Sequence, residues 1–179
     1  TAGFSGSDLE SMVNWAALEA SKRQEPDIPM GYFENAILSI SLGRERKSMV
    51  LSEETRRLCA YHEAGHAIVA LKTPGGPKIR RATLTPRGSA LGLVNFLAKD
   101  ENPLITQQEL KARMDSCMGG RAAEEIIFGA DFVTQGAGSD FQNATATAKN
   151  MVMQLGMSPK IGPTSLDPDK ISSATQHVV

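Results

Sequence analysis

His62, Glu63 and His66 are the residues of this 179-residue chain whose spacing carries the plainest chemistry. On a helix, positions four apart share a face, so the two imidazoles project side by side, about one turn apart. Two neutral imidazoles placed in this way can share one zinc ion. Glu63, one position along, can reach a water beside the metal without ligating the metal itself. Zinc lowers the pKa of such a water towards neutrality, and a carboxylate base completes its activation for attack on a polarised carbonyl. The chemistry implied is peptide hydrolysis without a covalent acyl-enzyme. The run from Ala64 to Leu71 is apolar or small throughout, which predicts a buried stretch of helix. Burying two imidazoles and a carboxylate there without a partner is costly, which favours a metal site over a pair of surface histidines.

A catalytic zinc takes a third protein ligand and keeps its fourth position for water. The metzincin pattern, with Gly three residues and His six residues after the second His, is excluded, because this chain has Val69 and Lys72 there. The remaining histidine, His177, falls in the C-terminal tail. The third ligand is therefore expected to be a remote carboxylate, drawn from Asp115, Glu124, Glu125, Asp131 and Asp140. Glu124 lies in a predicted helix rich in small residues, and by analogy with thermolysin-like enzymes it suits the role. Asp140 competes, since it follows a glycine-rich loop and opens a helix; a plain N-terminal helix carboxylate would look the same. Spacing leaves both open. Cys59, one turn before His62, reads as a small buried hydrophobe rather than a soft ligand.

These groups need elements to hold them. Ser5 and Asp8 have capping-box spacing before an apolar periodicity running from Leu9 to about Lys22. A second helical pattern carries Phe33, Ala36, Ile37 and Ile40 and stops at Gly43. The charged stretch 44–51 reads as a linker. A third helix, capped by Ser52, runs through the His-Glu motif to about Leu71, where Thr73 to Pro77 stops it. Two strands follow, Lys78 to Thr85 and Leu91 to Ala98, joined at Pro86-Arg87-Gly88-Ser89. Thr106 with Glu109 opens a long helix to Phe128 despite Gly119-Gly120. Beyond the loop Thr134 to Gly138, Ser139 is expected to cap a last helix to about Leu155, and the end from Gly156 onward is expected to be poorly ordered.

Composition agrees with a mainly α protein bearing a small β-sheet. Apolar residues make up 41% and charged residues 22%, enough for a packed core, while aromatics at 5% argue against an all-β fold. A net charge of -1 with mixed signs argues against a nucleic-acid partner. Cys59 and Cys117 make no disulfide framework. Nothing resembles a membrane span or a signal peptide. The opening Thr1-Ala2-Gly3-Phe4, without an initiator methionine, suggests a piece of something longer.

Several motifs, in order, resemble the FtsH family of membrane-anchored, ATP-dependent AAA zinc metalloproteases. They are Gly3 to Leu9, Tyr61 to Ala67, Thr85-Pro86-Arg87-Gly88, Gly119 to Gly129, Gly136 to Thr145 and Asn150-Met151-Val152. The stretches Met118 to Gly129 and Gly138-Ser139-Asp140-Phe141 are most similar to the mitochondrial i-AAA branch, with bacterial enzymes close behind. The resemblance implies a zincin-type helical protease domain over 52–179, C-terminally incomplete, preceded by a fragment of an AAA helical lid over 1–43.

Carried over by residue, the resemblance makes His62, His66 and Asp140 the Zn2+ ligands and Glu63 the catalytic base. Glu124 then orients an imidazole from behind. Leu91, Gly92, Leu93 and Val94 would belong to an edge strand that holds extended substrate by backbone pairing. Gly6 and Ser7 would lie near nucleotide. The parent would be a homo-hexamer in the mitochondrial inner membrane, or else in a bacterial plasma membrane or a plastid, using ATP and Mg2+ to feed unfolded or membrane proteins to the site. Most of the ATPase and the membrane anchor are absent here, so this chain alone is not expected to hydrolyse ATP. Two rival readings are a non-catalytic hexamerisation module with structural zinc and a thermolysin-like peptidase using Glu124.

Overall fold

The computed structural model describes residues 1, 3–43, 45, 46, 48–87, 91–97 and 104–167. In chain order the elements are α1 (Gly6–Lys22), α2 (Met30–Leu42), α3 (Glu53–Lys72), β1 (Ile79–Thr83), β2 (Leu93–Phe96), α4 (Gln107–Phe128) and α5 (Gly138–Met153). Two 3-10 turns, Ala130–Phe132 and Gln135–Ala137, lie between α4 and α5. The predicted mainly helical architecture with a small sheet is what forms. The chain divides into two compact units, Thr1–Cys59 with Thr83–Leu93, and Ala60–Ala82 with Val94–Val179.

In the first unit the predicted capping box is complete: the Asp8 N–H donates to Ser5 Oγ at 3.3 Å and the Ser5 N–H to Asp8 Oδ2 at 2.9 Å. Two orphan donors at the start of α1 are thereby satisfied. The small residues Ala16 and Ala20 let α2 approach α1, and Tyr32 fills the seam with Phe33 beside it. Tyr32 donates its hydroxyl to Glu25 at 2.7 Å, and the Arg23 guanidinium lies 5.5 Å from the centre of its ring. Beyond α2, Glu45 pairs with Arg87 in an antiparallel bridge, and the Arg46 N–H donates to the Pro86 carbonyl at 2.9 Å. The buried Arg87 donates to Ser39 Oγ at 3.4 Å and to the Gly43 carbonyl at 3.5 Å. Residues 45 and 46 of the expected linker are thus backbone-paired. Gly88 and Ser89 of the expected turn lie outside the described residues.

Both strands are shorter than predicted. Thr83 Oγ1 accepts the Thr85 N–H at 3.2 Å, a local bond that removes a ladder donor and ends β1 early. Leu91 and Gly92 form a bend, so β2 starts only at Leu93; glycine weakens strand pairing. The Leu97 N–H bonds to the Lys78 carbonyl at 2.7 Å, pairing the start of β1 with the end of β2, so the strands run antiparallel. Ala98, the predicted end of the second strand, is outside the described residues.

The second unit depends on α3 and α4 running antiparallel in backbone contact. Tyr61 meets Phe128 edge-on at 5.7 Å near one end of the contact. Further along, a Cβ added at Gly119 would stand 2.6 Å from the Gly65 carbonyl oxygen, and one added at Gly65 would strike the Gly119 carbonyl. Neither position has room for a side chain. The expected burial of the whole run from Ala64 to Leu71 needs correction: Gly65 and Ala70 are buried, but Ile68 is 60% and Leu71 70% exposed, and Ala64 is exposed too. The buried residues share the face turned to α4, and the exposed ones point away from it.

The capping box of α4 forms as predicted, with the Thr106 N–H donating to Glu109 Oε2 at 2.8 Å. The expected Ser139 cap of α5 does not. Ala137 is the N-cap and makes no side-chain bond, because the turn Gln135–Ala137 feeds directly into the helix and leaves Ser139 within it. Residues 156–167 fold back onto the end of α5 and the start of α4, with the Leu166 N–H bonding to the Met153 carbonyl at 2.6 Å and Gln107 Nε2 to the Met157 carbonyl at 3.1 Å. His177 and the rest of 168–179 fall outside the described residues. Among the described residues, no helix is long and apolar enough to cross a membrane.

The helix crossing generates a direct expectation. Gly65→Ala should destabilise the protein by about 1–3 kcal/mol, because overpacking outweighs alanine's advantage in helix propensity, worth at most about 1 kcal/mol. A lowered midpoint in urea unfolding checks this; a raised midpoint would mean the helices part at no cost.

Candidate metal centre

α3 presents His62 and His66 with their Nε2 atoms 3.0 Å apart. Asp140, in the first turn of α5, places Oδ2 3.4 Å from each of those nitrogens. Among the described residues these three side chains form the group able to hold a metal ion. Four donors about 2.0–2.2 Å from a tetrahedral zinc stand roughly 3.3–3.6 Å from one another. The observed triangle of 3.0, 3.4 and 3.4 Å is close to one face of that tetrahedron.

The outer nitrogens leave Nε2 of each ring as the atom able to bind a metal. His66 Nδ1 bonds to the Ser116 carbonyl at 2.7 Å, and a carbonyl can only accept, so Nδ1 carries the proton. His62 Nδ1 donates likewise to Glu124 Oε1 at 2.6 Å. In the neutral form of each ring, Nε2 is then a lone pair. Two lone pairs aimed at one point 3.0 Å apart repel unless a proton or a cation lies between them. The donor set of two imidazoles and a carboxylate suits zinc.

Proton affinities carry the same signature. The Asp140 carboxylate raises the His62 imidazole, against burial and with help from Glu124. Burial opposes charge on His66, but Asp140 and the Ser116 carbonyl outweigh it and raise that ring as well. Burial works to raise Asp140, yet the two imidazoles hold it down at about 2. Glu63 is pushed up by burial, an effect moderated by the two imidazoles and by the Val94 backbone N–H, which bonds to it.

Of the five candidate carboxylates, Asp140 joins the cluster. Glu124 has no exposed surface and serves the nitrogen of His62 remote from Asp140. Asp115, Glu125 and Asp131 are exposed and stand apart from the group, with Glu125 3.7 Å from Arg121. Cys59 is buried and stays outside the cluster; the thiol of Cys117 is raised by burial and then by the charge of Asp140. Val94, in β2, contacts Glu63 through its backbone, while Leu91 and Gly92 precede the strand that Leu93 begins. Gly6 and Ser7 are the exposed first residues of α1.

Two contributors were not visible in the sequence. The Ser116 carbonyl and the Thr134 hydroxyl carry no motif of their own. Gly120 read as one of the small residues that let another helix approach, and a Cβ there would lie 2.5 Å from His62 Nε2 and 2.6 Å from His66 Nε2. The imidazoles occupy the space that any side chain at 120 would need.

The model of peptidase family M41 matches residues 49–178. Similar curated proteins include the ATP-dependent zinc metalloprotease FTSH 11, chloroplastic/mitochondrial, of Arabidopsis thaliana, 48% identical over 93% of this chain and 21% of that protein. The mitochondrial inner membrane i-AAA protease supercomplex subunit YME1 of Saccharomyces cerevisiae is 47% identical over 93% of this chain and 22% of its own length. The ATP-dependent zinc metalloprotease FtsH of Caulobacter vibrioides is 46% identical over 90% of this chain and 26% of its own. The chain spans about a quarter of the length of the curated relatives it matches.

Two outcomes are expected from the geometry. Gly120→Ala should abolish tight zinc uptake, measured by competition with a chelating dye, because the methyl displaces both Nε2 atoms of the candidate site. The pH dependence of stability should reverse with metal. In zinc-free protein the raised imidazoles contribute stability that is complete below pH 6.5 and fades as pH climbs through their folded values. The lowered Asp140 contributes above 3.8 and loses its part as pH falls towards 2. Zinc competes with protons for the same nitrogens, so the zinc-loaded melting temperature should instead rise with pH through that upper range.

Proposed function

The chain belongs to peptidase family M41 and carries a metalloprotease domain with a zinc cofactor, and from that premise we propose that His62, His66 and Asp140 are its zinc ligands and Glu63 its general base. The observation that carries the reading is the convergence of three donor atoms 3.0–3.4 Å apart, with both outer imidazole nitrogens already committed elsewhere.

Zinc, when bound, supplies Lewis-acid polarisation of a carbonyl and a lowered pKa for a neighbouring water. The rest falls to the chain's own groups. Glu63 follows His62 on α3 and is half-buried, and burial raises its proton affinity, which favours a role as base. It takes the proton of the attacking water and returns it to the leaving amine. Glu124 holds the His62 ring by its Nδ1–H, and the Ser116 carbonyl does the same for His66, so both rings meet the metal without rotational searching.

Leu93 and Val94 of β2, with the bend Leu91-Gly92 before them, are the proposed substrate-binding segment. A backbone-paired extended peptide would be held with little side-chain selectivity, which suits unfolded polypeptides. Residues 1–43 are proposed as part of an AAA helical lid, with Gly6 and Ser7 near nucleotide, and 52–179 as the protease domain. The whole protein is then an ATP-dependent, membrane-anchored homo-hexamer degrading unfolded or membrane proteins. The relatives support this: FTSH 11 and the Caulobacter FtsH are ATP-dependent zinc metalloproteases, and YME1 is a subunit of a mitochondrial inner membrane i-AAA protease supercomplex. A mitochondrial inner membrane is the proposed location.

Glu63→Gln should cut hydrolysis of an unfolded polypeptide by about 10²–10⁴-fold while zinc content stays unchanged. Asp140→Asn should lose zinc. Full activity in Glu63→Gln, or intact zinc in Asp140→Asn, would overturn the assignment.

A further inference from the structure

Glu124 is the largest fully buried side chain among the described residues, and it accepts more than the His62 proton. The Thr134 N–H donates to Glu124 Oε2 at 2.6 Å, and the Thr134 hydroxyl donates to Glu124 Oε1 at 3.2 Å, the same oxygen that receives His62 Nδ1–H. The Thr134 oxygen also accepts the Gly136 N–H at 3.2 Å and so caps the 3-10 turn Gln135–Ala137. That turn runs without a break into α5, whose first turn holds Asp140. One threonine therefore touches the support of His62 on one side and the stem of Asp140 on the other.

We propose that Thr134 is a positioning residue for the metal centre, setting the spacing between His62 and Asp140 through Glu124 and the 135–137 turn. Two features of the geometry point to this. A carboxylate with no exposed surface needs every available donor, because a lost partner leaves charge unsatisfied in a dry site. With the hydroxyl gone, Glu124 can rotate towards its remaining donors and take the His62 ring with it. The turn meanwhile loses the acceptor for the Gly136 N–H, and Asp140 loses the fixed start of its helix. The two ligand displacements arise from one atom, the Thr134 Oγ1.

This inference rests on the zinc reading above, and zinc affinity tests it without reference to catalysis. Thr134→Val keeps the size and the backbone N–H while deleting the hydroxyl; Thr134→Ser keeps the hydroxyl. In the intact protein, with zinc titrated against a chelating dye, Thr134→Val should bind about 10–100-fold more weakly than the unaltered protein and Thr134→Ser nearly as well as it. In a Glu124→Gln background, Thr134→Val should cost less affinity than it does in the unaltered protein, because the route through Glu124 is already lost and the route through the 135–137 turn remains. Melting of the zinc-free Thr134→Val protein should fall by only a few degrees, the cost of one lost buried hydrogen bond, and stay cooperative. Unchanged affinity in Thr134→Val, equal loss in Thr134→Ser, losses that simply add, or a collapsed zinc-free melt would each overturn the proposal. None of these would disturb the ligand assignment so long as the unaltered protein binds zinc and Asp140→Asn does not.

Discussion

Two helices touch through bare backbone at Gly65 and Gly119, and the metal centre depends on that contact. With any side chain at either position the α3 and α4 axes must separate. The bonds from His62 to Glu124 and from His66 to the Ser116 carbonyl, 2.6 and 2.7 Å long, flank this contact and have no slack to absorb separation. Glycine costs a helix up to about 1 kcal/mol relative to alanine. Here that local loss is exchanged for a distance of approach no other residue allows, and Gly120 extends the same logic to the space filled by the imidazoles.

From that contact the electrostatics follow. Three titratable groups converge in a largely buried space, with the imidazoles raised and Asp140 lowered to about 2. Such an arrangement is mutually supportive only when positive charge lies at its centre. Protons provide it at low pH; a divalent ion provides it across the range in which a hydrolase works. Glu124 adds a second layer of constraint, since a fully buried carboxylate fixes the ring behind which it stands and is itself fixed by Thr134. Beside His62 on α3, Glu63 is raised by burial, against the moderating pull of the two imidazoles.

The sequence revealed what is local and hid what is remote. The capping boxes at Ser5 with Asp8 and Thr106 with Glu109 depend on residues three apart, and both form as read. The His62 and His66 pair is equally local, one turn of one helix. Which carboxylate would stand at Nε2 and which at Nδ1 is a matter of how three helices pack. Spacing was therefore silent between Asp140 and Glu124, and only the family resemblance separated them. Apolar periodicity overstated the burial of α3, since it cannot say whether a partner covers one face or two, and Ile68 and Leu71 remain exposed. Ser139 looked like a cap because the chemistry of its side chain suits one; the 3-10 turn before it moved the helix start upstream. Thr134 was invisible for the opposite reason, as its role exists only once Glu124 is folded against it.

The central claim is that zinc is held by two imidazole nitrogens and one carboxylate oxygen, with a position left for solvent. X-ray absorption at the zinc edge of the metal-loaded protein reads the donor atoms directly. Two imidazole scatterers and oxygen donors are expected, all at about 2.0–2.2 Å, with no sulfur. A sulfur shell near 2.3 Å, which would bring in Cys59 or Cys117, or a single imidazole, would contradict it.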